Sequence, residues 1–111
     1  MNPVQYAACV QSAADYTDPD AYVSDMSLSD IWDDSPEAEI PASRVADLRA
    51  VWDAVHRPVR EIVAASGLSQ ASFGERYCIP RRTVENWCSG VRERPLYTRL
   101  FLQRAEGLLQ V

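Results

Sequence analysis

The sequence predicts an all-α protein, and two observations support this class. From residue 43 onward, apolar residues recur every three to four positions, as on one face of an α-helix, and no segment is convincing as a strand. Residues that begin or end helices stand at the borders of these periodic segments. We expect four or five helices around one core in residues 44–111, preceded by a partly helical arm in residues 1–43.

The N-terminal arm is predicted to contain short helical segments joined by loops. Residues 2–14 can form the first helix, with Asn2 as the N-cap and Pro3 in the first helical position. Residues 15–25 are rich in aspartate and predict a loop. An apolar patch spaced i, i+3, i+4 predicts one or two helical turns, formed by Leu28, Ile31 and Trp32. Residues 33–42, with two prolines, are the predicted linker.

The C-terminal part begins with a strongly periodic helix for which Ser43 is a candidate N-cap. Pro58 interrupts the pattern, so that either a new helix begins there or one long helix is kinked. Gly67 is predicted to end this apolar face. A last helix is expected to begin at Pro95, with one side formed by Leu96, Leu100, Phe101, Arg104 and Leu108.

Residues 66–90 predict two short helices joined by a tight turn. Ser69 can cap the first helix and Gly90 can end the second. Pro80 suits the first turn of the second helix, because an N–H there has no helical partner to lose. Apolar positions three to five apart give each helix one inward stripe, formed by Leu68, Phe73, Tyr77, Val84 and Trp87. This arrangement is a helix-turn-helix.

The outer face of the second helix carries side chains suited to DNA base edges. Arg81, Arg82 and Asn86 lie there, and arginine and asparagine match the edges of guanine and adenine in the major groove. A solvated basic face without a ligand is the alternative. Glu85 is expected to pair with a neighbouring arginine rather than to accept from cytosine.

The segment resembles the DNA-binding domain of the phage-repressor-like (Cro/XRE-type) bacterial regulators, from about Val59 to Gly90 and less closely to Leu109. The pattern of that family stands here as Leu68-Ser69-Gln70, Phe73-Gly74, Ile79, Thr83-Val84, Trp87 and Gly90. One position departs from it. The family usually has glycine in the turn, where φ is often positive, and this chain has Cys78, so a turn that differs by one residue is expected.

The resemblance implies a compact lambda-repressor-like domain that reads the major groove with the helix at residues 80–89. The two arginines and the asparagine named above then occupy the base-reading positions. Phosphate contacts are implied for Gln70, at a helix N-terminus, and for Thr83, which can instead be half-buried packing. Three arginines that follow the recognition helix are expected to reach the flanking phosphates: Arg92, Arg94 and Arg99.

Charge is divided unevenly between the two predicted parts. Residues 1–43 hold nine acidic residues and no basic one, whereas residues 44–111 hold eleven arginines and seven acids. Such asymmetry is typical of an acidic tail attached to a nucleic-acid-binding module. We expect the acidic arm either to oppose DNA binding or to hold a basic partner.

Other chemistries find little support in the sequence. The three cysteines lack metal-ligand spacing and predict free thiols, with a redox pair as the alternative, and the lone His56 is expected to be structural. The aspartates of residues 15–20 lack the glycine and glutamate of a calcium loop. We therefore predict no enzyme, metal or cofactor. Neither a signal peptide nor a membrane span is recognisable, which predicts a cytoplasmic protein.

Three functional hypotheses follow. The first is a sequence-specific regulator of transcription, a repressor that binds double-stranded DNA as a homodimer, because one recognition helix covers few base pairs. The second is an antitoxin-like or adaptor protein whose acidic arm binds a basic protein partner. The third is a phage-type inhibitory protein whose acidic half mimics DNA.

Overall fold

The computed structural model describes residues 1–35, 38–90 and 95–111, and these residues form α-helices and no strand. The helices are α1 Pro3–Ala13, α2 Pro19–Ser27, α3 Ala42–His56, α4 Val59–Ser66, α5 Gln70–Tyr77, α6 Arg81–Ser89 and α7 Leu96–Ala105. The predicted all-α class is confirmed. By its internal contacts the chain divides into two compact units, residues 1–56 with Val111 and residues 57–110.

In the first unit, α1 and α2 both pack against α3. Its buried apolar residues come from all three helices: Cys9, Ala13, Tyr22, Met26, Leu48, Val51, Ala54 and Val55. The hydroxyl of Tyr22 donates a hydrogen bond of 2.7 Å to the carbonyl oxygen of Cys9, which ties α2 to α1 inside this core. Helices α1 and α2 of the acidic arm therefore share a core with α3. From the sequence, the helix that begins near residue 43 was expected to belong to the core of residues 44–111 instead.

Local cap chemistry explains where the first two helices begin. The Asn2 side chain accepts from the amide of Gln5 at 2.8 Å, and the Gln5 side chain accepts from the amide of Asn2 at 2.9 Å. This capping box satisfies two amides that have no helical partner. Asp18 caps α2 by accepting from the amide of Asp20 at 3.0 Å, and Pro19 follows in the first position. Within the loop predicted for residues 15–25, residues 15–18 are indeed not helical, but the prediction is wrong from Pro19 onward, because Asp-Pro begins a helix here.

The segment that follows α2 is not helical, so the helical turns predicted there are wrong. Leu28 is 74% exposed and lies in a turn. Trp32 is fixed instead by its indole N–H, which donates to the carbonyl oxygen of Met26 at 2.8 Å, and by the Arg44 guanidinium, 4.4 Å from its ring centroid. Arg44 also pairs with Asp34 at 2.6 Å. These contacts hold the segment on the first unit without helical geometry.

Helix α3 begins at Ala42, so Ser43 lies within its first turn and is not the N-cap. At its other end, the His56 ring stacks on Trp52 with centroids 4.2 Å apart, and its Nε2 lies 2.9 Å from the carbonyl oxygen of Ala13. The Trp52 indole donates to the carbonyl oxygen of Tyr16 at 3.0 Å. These contacts give His56 the structural role predicted for it.

In the second unit, α4 contacts α5, α6 and α7 around one core. The buried residues are Val59, Ile62, Val63, Phe73, Val84 and Leu102, and Trp87 is among the half-buried residues packed on them. Of the two alternatives at Pro58, a new helix is found, because α3 ends at His56 and α4 begins at Val59. Phe101 was predicted to lie on the apolar side of α7, and this is wrong, because Phe101 is 67% exposed. Leu102 and Gln103 face the interior instead.

An ionic network joins the end of α5 to the end of α7. One guanidinium nitrogen of Arg76 lies 2.9 and 2.7 Å from the two carboxylate oxygens of Glu106, and the Tyr77 hydroxyl donates to the same carboxylate. Only 5% of the Glu106 side chain is exposed. The hydrogen bond from Tyr77 and the pairing with Arg76 hold the pKa of Glu106 below its usual value.

We predict that this network makes stability sensitive to acid. A carboxyl whose pKa is lower in the folded state stabilises fully above its unfolded pKa of about 4.3, and loses this contribution as pH falls through the folded pKa. The free energy of unfolding, measured with urea at a series of acidic pH values, should fall less steeply in Glu106→Gln than in the wild type. Glu75→Gln, an exposed change on α5, serves as the control. Identical pH curves for the wild type and Glu106→Gln would contradict the assignment.

Candidate nucleic-acid interface

Helices α5 and α6 contact each other and are joined by a short turn of three residues, 78–80. Ser69 caps α5, since its hydroxyl accepts from the amide of Ser72 at 3.1 Å. Cys78 ends α5 in the left-handed conformation, with φ of 56°, and it is the one non-glycine residue with positive φ among the described residues. Cys78 thus takes the left-handed conformation for which glycine is usual.

At Gly74, α5 approaches the backbone of the turn closely. A Cβ at this residue would lie 2.6 Å from the carbonyl oxygen of Ile79, and it would also lie 3.5 Å from Cγ2 of Val84 on α6. The amide of Ile79 in turn donates to the Gly74 carbonyl oxygen at 2.8 Å. Because the atom in the way belongs to the backbone, a side chain at residue 74 would force the turn and α6 to move.

The packing of α6 determines which of its side chains face outward. Val84 is fully buried, and Trp87 and Cys88 pack against the same core. At about 100° per residue, the opposite side of the helix is centred on Arg82, with Asn86 and Ser89 following at one-turn intervals. This α6 outer face consists of Arg82, Asn86 and Ser89, flanked by Arg81 and Glu85 on one side and Thr83 on the other. The three predicted base-reading residues are therefore brought together on one helix.

The charged groups on the outer face differ in their contacts. Arg81 Nε donates to Glu85 Oε1 at 2.8 Å, and the two side chains are 71% and 45% exposed, so the pairing expected for Glu85 is found. Exposed pairs of this kind stabilise a helix by less than about 1 kcal/mol, so Arg81 can exchange this partner for another anion. Arg82 is exposed, and within the described part of the chain no side chain pairs with its guanidinium.

The predicted phosphate-contacting residues differ in their exposure and in their hydrogen bonds. Gln70 is exposed at the first position of α5, and Thr83 is half-buried in the first turn of α6. Arg99 lies on α7, where its guanidinium donates to the carbonyl oxygen of Arg57 at 3.0 Å, so at least one of its donors serves the fold. Arg92 and Arg94 lie outside the described residues. These phosphate contacts stay predictions.

Ser89 was missed by the sequence analysis. It is exposed on the α6 outer face, and its hydroxyl donates to the carbonyl oxygen of Asn86 at 3.0 Å. The spacing of Arg82, Asn86 and Ser89, at i, i+4 and i+7, is the signal that identifies it.

The α6 outer face can offer several hydrogen-bond donors to a nucleic acid. Guanidinium groups and a carboxamide can each form two parallel hydrogen bonds with a base edge. Helix α6 begins at Arg81, one residue later than predicted, and Pro80 precedes it. Proline has no side chain that can cap the helix, so no side chain accepts from the first amides of α6.

In the described segments no group of histidine, cysteine and acidic residues is placed to hold a metal ion. None of the described helices has the length and apolarity needed to cross a membrane.

Comparisons of the chain with family models, with curated proteins and with solved structures give no match. The resemblance to phage-repressor-like domains therefore depends on the pattern of residues 59–90 alone.

We predict that Gly74→Ala destabilises the protein by about 1–3 kcal/mol, because the added methyl group overlaps a backbone oxygen that cannot rotate away. Elsewhere in a helix the same change is favourable by roughly 0.5–1 kcal/mol. The free energy of unfolding, measured with urea, gives the comparison, with Glu75→Ala as a control on the same helix. Stability equal to or above that of the wild type would show that α5 does not approach the turn as closely as described.

We also predict that Cys78→Gly raises the free energy of unfolding by roughly 0.5 kcal/mol. A left-handed conformation costs a residue with a Cβ about 1–2 kcal/mol, and the greater chain entropy of glycine offsets part of the gain. Cys78→Ala is the matched control, because it removes the thiol and keeps the Cβ. Equal stability of the glycine and alanine variants would mean that residue 78 is not left-handed in solution.

Proposed function

We propose that the protein is a sequence-specific DNA-binding regulator that reads the major groove with α6. The observation that carries the proposal is the α6 outer face, where Arg82 and Asn86 stand one turn apart, opposite the buried Val84. An α-helix with side chains is about 10–12 Å across and the major groove is about 12 Å wide, so a helix with one polar face can enter it.

The charge of the second unit supports an anionic ligand. Although the chain as a whole has a net charge of −5, residues 57–110 contain nine arginines and five acidic residues. Electrostatic attraction to phosphate supplies much of the affinity of DNA-binding proteins. Phosphate contacts by Gln70 and Thr83 would position α6, and the outer-face side chains would then supply the sequence preference.

The size of the site suggests that the protein binds DNA as a dimer. One recognition helix contacts too few base pairs to be selective in a genome, and a two-fold dimer doubles the site. We therefore infer a repressor of the phage-repressor-like type that binds as a homodimer and acts in the cytoplasm, where bacterial DNA lies.

A second candidate is an antitoxin-like or adaptor protein whose first unit binds a basic protein. Residues 1–56 contain eleven acidic residues and two arginines. Both arginines are already paired, Arg44 with Asp34 at 2.6 Å and Arg49 with Asp20 at 3.3 Å. The acidic surface therefore stays largely uncompensated, which favours a cationic partner and disfavours DNA binding by this unit. A phage-type inhibitor that mimics DNA would use the same surface.

The proposal predicts that the α6 outer face and the flanking Arg81 carry sequence preference. Replacing Arg81, Arg82 or Asn86 with alanine should each reduce the preference for a selected duplex over a scrambled one by about 1–3 kcal/mol. The duplex would be obtained by selection from random DNA with the full chain, and affinities measured by fluorescence anisotropy at two salt concentrations.

Arg60→Ala is the matched control, since Arg60 is an exposed arginine on α4 and its loss changes the net charge equally. It should weaken both duplexes alike if it has any effect. If Arg82→Ala and Arg60→Ala behave identically on both duplexes, α6 does not read bases. If selection with the wild type enriches no sequence, the proposed function is wrong.

A further inference from the structure

A groove lies on the first unit, beside the end of α2 and the segment that leads to α3. Its volume is about 370 Å³, and its lining includes Leu28, Trp32 and Ile40 together with the carboxylates of Asp30 and Asp34. We call it the Trp32 groove. Leu28 is 74% and Ile40 is 39% exposed, so two aliphatic side chains face solvent in the same groove.

Contacts within the first unit hold the Trp32 groove in shape. The Arg44 guanidinium lies 4.4 Å from the ring centroid of Trp32, 2.6 Å from the Asp34 carboxylate and 3.3 Å from the carbonyl oxygen of Ser27. Only 10% of the Arg44 side chain is exposed. The Trp32 indole is in turn fixed by its hydrogen bond to Met26. A ligand would therefore meet a groove that is already formed, which lowers the entropic cost of binding.

The charge around the Trp32 groove is negative. Arg44 compensates Asp34, whereas Asp30, Asp33 and Glu39 are exposed and form no ion pair with any residue that the structure describes. Carboxylates without partners on a surface attract cations and repel phosphate groups and other anions. The groove therefore favours a cationic ligand and disfavours nucleic acid and anionic lipid.

The aliphatic residues of the groove indicate what kind of cation fits. Leu28 and Ile40 offer apolar area that a bare metal ion cannot cover, and the described segments contain no group of residues placed to hold a metal. A peptide segment can satisfy both features, because an apolar side chain can cover Leu28 and Ile40 while a neighbouring arginine or lysine pairs with Asp30.

We propose that the Trp32 groove binds a basic segment of another protein, with an apolar side chain between or beside its cationic residues. The proposal rests on the second candidate function, that of a protein whose first unit binds a basic partner, and it gives that function a place on the molecule. Base reading by α6 does not depend on it.

Selection from a library of random short peptides displayed on yeast, with the full chain as the bait, tests the proposal. The enriched peptides should combine arginine or lysine with leucine, isoleucine or methionine. Binding of a synthetic, labelled form of the enriched sequence would then be measured by fluorescence anisotropy. A contact as small as this groove should give dissociation constants between about 1 µM and 1 mM.

Variants of exposed residues locate the binding without disturbing the core. Leu28→Ser and Ile40→Ser should each weaken binding of the selected peptide at least about fivefold, because each removes apolar area that the peptide covers. Asp30→Asn should weaken it about two- to fivefold, with a larger effect at low salt. Val4→Ser and Asp15→Asn are the matched controls, since these exposed residues do not line the groove, and both should bind like the wild type.

The indole N–H signals of the three tryptophans give an independent readout in a nitrogen-labelled full chain. Only Trp32 lines the groove, whereas Trp52 donates to Tyr16 and Trp87 packs on the core of the second unit. The selected peptide should shift the Trp32 signal more than the other two, and Trp32→Phe identifies that signal by its loss.

Three results would overturn the proposal: a selection that enriches no peptide or only peptides without cationic residues, groove variants that bind like the wild type, or a Trp32 signal that does not move on binding. Selection of DNA with the same full chain tests base reading separately. A chain that enriches DNA and no peptide contradicts the groove proposal alone, and a chain that enriches peptides and no DNA contradicts base reading alone.

Discussion

The close approach of α5 at Gly74 to the turn before α6 is the constraint on which the second unit depends. The Ile79 carbonyl oxygen occupies the space that a side chain at residue 74 would need, while the Ile79 amide bonds to the Gly74 carbonyl. Cys78 closes the turn in a conformation that usually requires glycine. In this geometry Phe73 and Val84 are buried in the same core, and the outward direction of the polar side of α6 follows from that burial.

Although the chain has a net charge of −5, the packing of α6 leaves arginine side chains exposed on this helix. Trp87 and Cys88 hold one side of α6 against the core, which leaves Arg82 exposed and Asn86 partly exposed on the other side. The acidic residues are concentrated in a separate compact unit built on α3. Because opposite charges are segregated between units, the sign of the net charge says little about the ligand of either unit.

Features with local causes could be predicted from the sequence, and features with tertiary causes could not. The caps at Asn2 and Ser69 depend on a few neighbouring residues, and the outward side of α6 follows from helical periodicity. Helix α2 was missed, because Asp18-Pro19 is compatible with a turn or with a helix start, and only the burial of Tyr22 decides between them. The apolar side of α3 predicts that the helix is buried but not which helices cover it. Likewise, nothing in the spacing of α7 indicates that Leu102, rather than Phe101, enters the core.

The proposed reading of base edges by α6 can be tested by replacing single atoms of the DNA in the major groove. In 7-deazaguanine the N7 acceptor that an arginine would contact is absent, while base pairing is kept. Binding to a selected duplex would be compared with binding to duplexes that carry this base at one guanine at a time, for the wild type and for Arg82→Ala. We predict that one position weakens the wild type and leaves Arg82→Ala unaffected. If no position weakens binding of the wild type, or if both proteins lose affinity equally at every position, Arg82 does not read guanine.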